Sequence, residues 1–166
     1  MKPIKYFFQF FFIISLLFFF KVLGLKISRI VSSKLLSILG NLFRSKKIIE
    51  KNISLAFPKS EKEFKKMIIK NMWKGYGKIL AEYIFMKNFR KKEANEFLEI
   101  KGQETLEKIK SSKDPVIFIS GHFDNFELMA MHLEKSGIDL AAIYRPLNNI
   151  FLNPLMEKIR KKYICK

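Results

Sequence analysis

The sequence has little cysteine and little histidine, and these shortages exclude several kinds of site. Cys165 is the single cysteine among 166 residues, so no intramolecular disulfide can form and a reducing compartment is favoured. His122, Glu127 and His132 are spaced by five residues, which does not place them on one helix face. No HExxH spacing and no cysteine pair is present. The sequence therefore predicts no metal site and no other cofactor.

Acidic residues are also scarce, since 15 Asp and Glu face 32 Lys and Arg and give a formal net charge of +17. Part of this excess belongs to solvated helix faces. The remainder favours an anionic partner, either nucleic acid or a membrane leaflet, where each basic residue contributes about 1 kcal/mol. No RNA-binding aromatic motif, GXXG loop or zinc knuckle accompanies the charge. We therefore predict an anionic membrane surface as partner and no nucleic acid.

The N-terminus carries an uncharged run rich in Phe, Ile and Leu, from Tyr6 to Phe20. A helix of this length extends about 22 Å, and continuing it to Leu25 gives about 30 Å, the thickness of a hydrocarbon core. Lys2 and Lys5 precede the run as in a signal peptide, but no Ala-x-Ala-like cleavage site follows. We therefore predict an uncleaved membrane anchor over residues 1–25, with a shallow interfacial position as the alternative.

Two further regions follow the predicted anchor. Residues 26–95 form a basic helical region, in which Ser60 and Glu63 predict a capping box at the start of a long helix, and Trp73 and Tyr76 are expected in the core. Residues 96–166 contain three short apolar segments with the composition of strands, namely Phe97–Ile100, Val116–Ile119 and Leu140–Tyr144. Because these segments alternate with helical patterns, the region is predicted to be an α/β layer.

The stretch from Ser120 to Glu127 joins one of these predicted strands to a helix. In an open α/β layer, ligands collect at the carboxyl ends of strands, which makes His122 the best chemical candidate in the chain. An alternative assigns these residues to local structure. Asp124 then caps the helix, Glu127 reaches back to the cap, and His122 is a loop residue.

The same stretch carries a resemblance to a known family. His122-Phe123-Asp124-Asn125-Phe126-Glu127 resembles the His-x4-acid signature of the bacterial lipid A biosynthesis (lauroyl/myristoyl) acyltransferases, usually His-Phe-Gly-Asn-Trp-Glu. Asn52–Pro58 is similar to the family's Asn-(Ile/Leu)-x-x-x-Phe-Pro segment, and Tyr144–Asn149 to its Tyr-Arg-Pro-x-Asn-Asn block. Asp124 replaces Gly and Phe126 replaces Trp. The chain is shorter than the family leads us to expect, so we predict the N-terminal portion of such a protein, truncated at its C-terminus.

The resemblance implies a fold and an activity. The fold is α/β, an N-terminal membrane helix followed by helices and an incomplete mixed or parallel sheet of the His-x4-acid type. The activity is acyl transfer from an acyl-carrier-protein thioester to a hydroxyl of a lipid A precursor, at the cytoplasmic face of the bacterial inner membrane. The alternatives are an acyltransferase for another glycolipid or a glycerolipid, and an inactive membrane-anchored fragment.

The resemblance also implies roles for particular residues. His122 is the general base, because a neutral imidazole suits proton removal near neutral pH. Glu127 orients the ring, as the acid does in a serine-protease triad. Substrate binding is assigned to one cation and three amides, Arg145, Asn125, Asn148 and Asn149. A surface arginine is the alternative for Arg145, and turn formation is the alternative for the last two asparagines.

Overall fold

The computed structural model describes residues 2–91, 93, 95–112 and 114–165. These residues form helices and loops, and the helical elements follow one another along the chain. The α-helices are α1 (Lys2–Leu39), α2 (Lys46–Ala56), α3 (Lys62–Glu82), α4 (Met86–Arg90), α5 (Gln103–Ser112), α6 (Glu127–Lys135) and α7 (Leu152–Ile159). Three 3₁₀ turns, Gly40–Leu42, Tyr83–Phe85 and Asn95–Phe97, and a π-helical turn, Arg160–Ile164, complete the set.

The predicted α/β fold with its incomplete mixed or parallel sheet is wrong, because no strand occurs among the residues described. Two of the apolar segments expected to be strands, 116–119 and 140–144, are irregular, and Phe97 ends a 3₁₀ turn. Their side chains also lie in solvent, with Ile117 88% and Ile119 92% exposed. A strand needs a neighbouring backbone to pair with, and β-branched composition alone does not supply one.

The first helix is interrupted where the sequence has its first glycine. Gly24 has φ 76° and ψ 164°, a conformation that only glycine adopts readily, and separates segments 2–23 and 25–39. Ser28 Oγ donates a hydrogen bond to the carbonyl of Phe20 at 2.7 Å, a contact that a straight helix would not allow across eight residues. Within the stretch Pro3–Leu42, a window of 18 residues has a mean hydropathy of 2.3, so this stretch is long and apolar enough to cross a membrane.

The chain divides into two compact units. The first comprises Met1–Leu16, Phe85–His122 and Phe126–Lys166. Its buried apolar side chains include Met86, Phe89, Met131, Leu133 and Ile164. Arg90 joins two of its helical elements, since Nη1 lies 2.7 Å from Glu134 Oε2 and also donates to the carbonyl of Tyr163 at 3.1 Å.

The second compact unit comprises Leu17–Ile84 and Phe123–Asn125. Trp73 is buried there with Ile49 and Ile53, and its Nε1 donates to Asn41 Oδ1 at 3.0 Å, which confirms its predicted core position. The core position predicted for Tyr76 is wrong, because its ring packs against Trp73 but the residue is 49% exposed. The backbones of segment 25–39 and α3 approach closely at Gly77, where a Cβ would lie 2.4 Å from the carbonyl oxygen of Ser32.

Local signals at helix ends were only partly correct. Gly137, at φ 85°, follows α6 as predicted. The capping box at the start of α3 is absent, because Ser60 Oγ donates to the carbonyl of Phe57 and no side chain caps the helix. Most of the Asn52–Pro58 segment is helical, since α2 continues to Ala56 and ends just before Pro58.

Candidate active site

His122 lies in the irregular stretch that precedes α6, and its side chain is exposed. Its ring packs against Phe126, with the ring centroids 4.1 Å apart and the planes tilted by 53°. Within the described part of the chain, no hydrogen bond or ion pair holds the imidazole. Its nitrogens are therefore accessible to a substrate hydroxyl, and the Phe126 contact fixes one face of the ring.

Glu127 is the first residue of α6, and only 7% of its side chain is exposed. Arg160, in the π-helical turn of the same unit, donates to Oε1 of this carboxylate from Nε at 2.9 Å and from Nη2 at 2.6 Å. Two short charge-assisted bonds hold the carboxylate in place. Among the contacts of the described residues, none is a hydrogen bond between Glu127 and His122.

The guanidinium of Arg160 has a second contact, on its face. It lies 5.0 Å from the centroid of the Tyr144 ring, a cation–π geometry. The hydroxyl of Tyr144 donates to Glu157 Oε1 at 3.0 Å, and this bond lowers the pKa of the Glu157 carboxyl and raises that of the Tyr144 hydroxyl. The buried acid is thus connected through Arg160 to the start of the Tyr144–Asn149 block.

Asn125, inside the His-x4-acid motif, faces a different acid. Its Nδ2 donates to Glu82 Oε2 at 2.8 Å, and the other oxygen of Glu82 lies 3.0 Å from Nε of Arg29. Glu82 is 5% exposed, and burial raises the pKa of its carboxyl while Asn125 and Arg29 act in the opposite direction. All three residues belong to the second compact unit, in which Asn125 is fixed by α3.

Asp124 stands where the family's motif usually has glycine, and the backbone gives a reason for that glycine. Asp124 has φ 41°, the one non-glycine residue with positive φ among those described. This left-handed region favours Gly, and Asp and Asn tolerate it better than most side chains. No side chain caps α6, so the alternative in which Asp124 and Glu127 form a capping box is wrong.

The three remaining predicted site residues lie in the first compact unit and differ in their surroundings. Arg145 and Asn148 are exposed, and neither has a hydrogen bond or ion pair with a described residue. Asn149 is 7% exposed, and its Oδ1 accepts from the amides of Phe151 and Leu152 at 3.0 and 3.2 Å. Its Nδ2 donates to the carbonyl of Tyr6 at 2.9 Å. Asn149 therefore shapes the start of α7 and joins it to α1.

An open groove of about 830 Å³ lies between α5 and α6, also in the first unit. Most of its lining is apolar, including Leu106, Phe118 and Met131, and neither His122 nor Glu127 contributes to it. Among the described residues, no group of three His, Cys, Asp or Glu side chains is arranged to hold a metal ion.

Three residues of this arrangement escaped the sequence analysis, namely Arg29, Glu82 and Arg160. Glu82 had a signal, because it interrupts the apolar run Ile79–Ile84, where an acid is expected to be buried with a partner. Arg160 had none, since it lies among other basic residues and its partner is 33 positions away.

The structure thus has an exposed imidazole at His122, five residues ahead of a buried carboxylate that Arg160 holds at the start of α6. The family model for bacterial lipid A biosynthesis acyltransferases matches residues 2–165. The chain therefore belongs to this family and is an acyltransferase of lipid A biosynthesis. No curated protein and no solved structure matches the chain in the corresponding searches.

Proposed function

We propose that this protein transfers a fatty acyl chain from an acyl-carrier-protein thioester to a hydroxyl group of a lipid A precursor. The observation that supports the proposal best is the accessible imidazole of His122, which lies five residues ahead of Glu127, the fixed acid that begins α6. The net charge of +17 agrees with both substrates, because an acidic carrier protein and a phosphorylated lipid are each attracted to a basic surface.

In the proposed reaction, neutral His122 accepts the proton of the acceptor hydroxyl as its oxygen attacks the thioester carbonyl. The tetrahedral intermediate collapses by breaking the carbon–sulfur bond, and the imidazolium returns its proton to the departing thiolate. The products are the acylated lipid and the free thiol of the carrier protein. No covalent intermediate on the protein and no cofactor is needed.

Glu127 is proposed to orient the His122 ring and to stabilise the imidazolium. Its fixed position supports this role, because Arg160 holds the carboxylate at the N-terminal end of α6. Catalytic hydrogen bonds often become short only in the substrate complex. The proposal therefore requires the exposed ring of His122 to turn towards α6 when the acceptor binds.

Arg145 is proposed to bind a phosphate group of the acceptor or the donor. Arg145 is exposed and follows Tyr144 in the chain. The Tyr144 ring stacks on Arg160, the residue that holds Glu127, so Arg145 lies on the segment that contacts Arg160. Backbone amides at the start of α6 are suited to stabilise the oxyanion, since a helix N-terminus favours negative charge. We place this chemistry at the cytoplasmic face of the inner membrane, where the carrier protein is available.

The substrate assignment is tested by supplying the membrane-bound protein with acyl carrier protein or coenzyme A thioesters, and with a lipid A precursor or a glycerolipid. Mass spectrometry should show one added acyl chain on the lipid A precursor, with the carrier-protein thioester preferred. Acylation of the glycerolipid alone would contradict the proposal.

Arg145→Ala is expected to raise KM about tenfold or more with kcat nearly unchanged, because a lost phosphate contact weakens substrate binding. Arg44→Ala is the matched control, since Arg44 is an exposed arginine of the second unit without a described partner. A variant at Arg145 with unchanged kinetics, or one that affects only kcat, would remove it from substrate binding.

A further inference from the structure

Arg160 differs from the basic residues around it in its position in the fold. Lys158, Lys161 and Lys162 of the same segment are exposed, whereas only 21% of the Arg160 side chain reaches solvent. Its guanidinium makes two kinds of contact at once, hydrogen bonds at its edge and an aromatic ring on its face. A planar guanidinium can make both, and a lysine ammonium cannot reproduce the pair. Arginine therefore suits this position by its geometry as well as by its charge.

The two hydrogen bonds at the edge of Arg160 converge on one oxygen of Glu127. Nε lies 2.9 Å and Nη2 lies 2.6 Å from Oε1. The two oxygens of a carboxylate have about four lone-pair sites, so a carboxylate that accepts these two bonds can also accept one from an imidazole N–H. Arg160 and His122 can therefore be partners of Glu127 at the same time, and neither has to displace the other.

The charge of Arg160 is important because Glu127 is buried. Glu127 is the first residue of α6, and 7% of its side chain is exposed. An ionised carboxylate is costly to remove from water unless a cation and hydrogen bonds compensate for the loss. Arg160 provides both. Since only an ionised carboxylate stabilises an imidazolium, the role proposed for Glu127 requires a cation in the position of Arg160.

Tyr144 covers the face of the same guanidinium. Its ring centroid lies 5.0 Å from Cζ of Arg160. The ring is itself held in place, because its hydroxyl donates to Glu157 Oε1 at 3.0 Å, and Asn153 Nδ2 donates to the same oxygen at 2.7 Å. Glu157 precedes Arg160 by three residues, the spacing of neighbours on one side of a helix. Tyr144 is therefore fixed at its hydroxyl and lies against the guanidinium with its ring.

From these contacts we propose that Arg160 and Tyr144 are positioning residues for acyl transfer. Tyr144 keeps the guanidinium of Arg160 on Oε1, and Arg160 keeps the Glu127 carboxylate ionised and in place at the start of α6. The inference rests on the proposed function, because it requires Glu127 to orient the His122 ring. It goes beyond that function by giving the tyrosine of the Tyr144–Asn149 block a task at the acid of the His-x4-acid motif. Neither residue touches the reacting atoms, so both should affect kcat and leave substrate binding unchanged.

The role of Arg160 is tested by measuring kcat and KM with a carrier-protein thioester and a lipid A precursor. Rates are expressed per protein able to bind the acceptor, so that loss of folded protein is not counted as loss of rate. Arg160→Met should lower kcat about tenfold or more with KM nearly unchanged, and Arg160→Lys should recover part of the rate because it keeps the charge. Lys161→Met, at the exposed neighbour, is the control and should leave both constants unchanged. A wild-type kcat in Arg160→Met, or a change in KM alone, would overturn the proposal.

A double variant separates a positioning role from a merely structural one. If Arg160 acts through the carboxylate, adding Arg160→Met to Glu127→Gln should change kcat by less than about threefold, because the group that Arg160 serves is already gone. A further loss as large as the one in the wild-type background would show that Arg160 acts in another way and would overturn the proposal.

Tyr144 provides a test that leaves both charges of the ion pair in place. Tyr144→Leu removes the ring from the guanidinium and should lower kcat about two- to fivefold, the rate equivalent of one exposed cation–π contact. Tyr144→Phe is the matched control, since it keeps the ring and loses only the bond to Glu157, and it should stay closer to wild type. Equal rates in Tyr144→Leu and Tyr144→Phe would overturn the role of the ring.

Glu127→Gln measured by itself separates this inference from the proposed function. If Glu127→Gln transfers acyl chains at the wild-type rate, the role proposed for Glu127 fails and the role of Arg160 fails with it. If Glu127→Gln is slow and Arg160→Met is not, the proposed reaction stands and only the positioning role of Arg160 is overturned.

Discussion

Replacing Arg160 by methionine is the most informative perturbation of the candidate site, because it removes the guanidinium from a buried acid without removing the acid. Glu127 has 7% of its side chain exposed and Arg160 has 21%. Methionine keeps the length and apolar stem of the arginine, so the change is mainly one of charge and hydrogen bonding.

The expected loss of stability follows from the burial of the pair. Removing one partner of a fully buried ion pair costs about 3–5 kcal/mol. Since water reaches part of Arg160, we expect a smaller loss, about 2–3 kcal/mol in the free energy of unfolding. Arg160→Lys should recover only part of this, because a lysine cannot reproduce both bonds to Oε1 or the stacking on Tyr144.

The assay is urea unfolding followed by circular dichroism for Arg160→Met, Glu127→Gln and the double variant. The double variant contains neither charge of the pair, so no unpaired charge stays buried. Its loss of stability should therefore be smaller than the sum of the two single losses by about 1–3 kcal/mol. Arg145→Met is the control for removing an exposed arginine and should change stability by less than about 0.5 kcal/mol. Additive losses, or a loss in Arg160→Met as small as the control, would refute the reasoning.

Two other residues, Glu82 and Asn149, give predictions with simple controls. Burial raises the pKa of Glu82 above 4.5, so the Glu82 carboxyl binds its proton more tightly in the folded state than in the unfolded state. The contribution of Glu82 to stability is therefore lost as pH rises from 4.5 through the raised value. Unfolding measured across that window should therefore show wild type losing stability relative to Glu82→Gln. Wild type should show no such loss relative to Glu157→Gln, because the hydrogen bond from Tyr144 lowers the pKa of Glu157. A parallel pH dependence in wild type and Glu82→Gln would contradict this account. Asn149→Ala should cost about 1–2 kcal/mol, because the amides of Phe151 and Leu152 lose their acceptor and the carbonyl of Tyr6 loses its donor, while Asn148→Ala should change stability by less than about 0.5 kcal/mol. Both variants are measured by thermal or urea unfolding. An equal loss of stability in Asn149→Ala and Asn148→Ala would show that Asn149 does not fix the turn.

Helices were predicted well where the signal is local. The long helix expected to begin near Ser60 corresponds to α3, and α5 and α6 lie between the apolar segments, where helical patterns were noted. Helical hydrogen bonds join residues four apart, so a short window of sequence contains most of the information. Caps were less predictable, because a serine or aspartate has several nearby backbone partners, as Ser60 shows.

The predicted sheet failed for the opposite reason. Val116–Ile119 and Leu140–Tyr144 have strand composition, but a strand forms only when a distant segment pairs with it. The composition of a segment gives its strand propensity but does not tell which other segment, if any, would pair with it. Exposed side chains such as Ile117 and Ile143 show that these segments are not covered within the described part of the chain.

The candidate site shows the same division between local and distant information. Six consecutive residues of the motif were enough to single out His122 and Glu127. The glycine that the family usually has at position 124 agrees with the positive φ of Asp124. Whether His122 and Glu127 act as a pair stays a prediction. The ion-pair partners of Glu127 and Glu82 could not be predicted from the sequence. Arg160 contacts Glu127, and Arg29 contacts Glu82, only in the folded chain.

The central claim is that the His122 imidazole removes the proton of the attacking hydroxyl, and single-turnover acyl transfer by His122→Gln tests it most directly. Glutamine keeps a polar side chain of similar length at an exposed position, so substrate binding and folding should persist. We expect the rate of the chemical step to fall by about 10²–10⁴-fold with acceptor binding retained. A single-turnover rate within a few-fold of wild type would contradict the account.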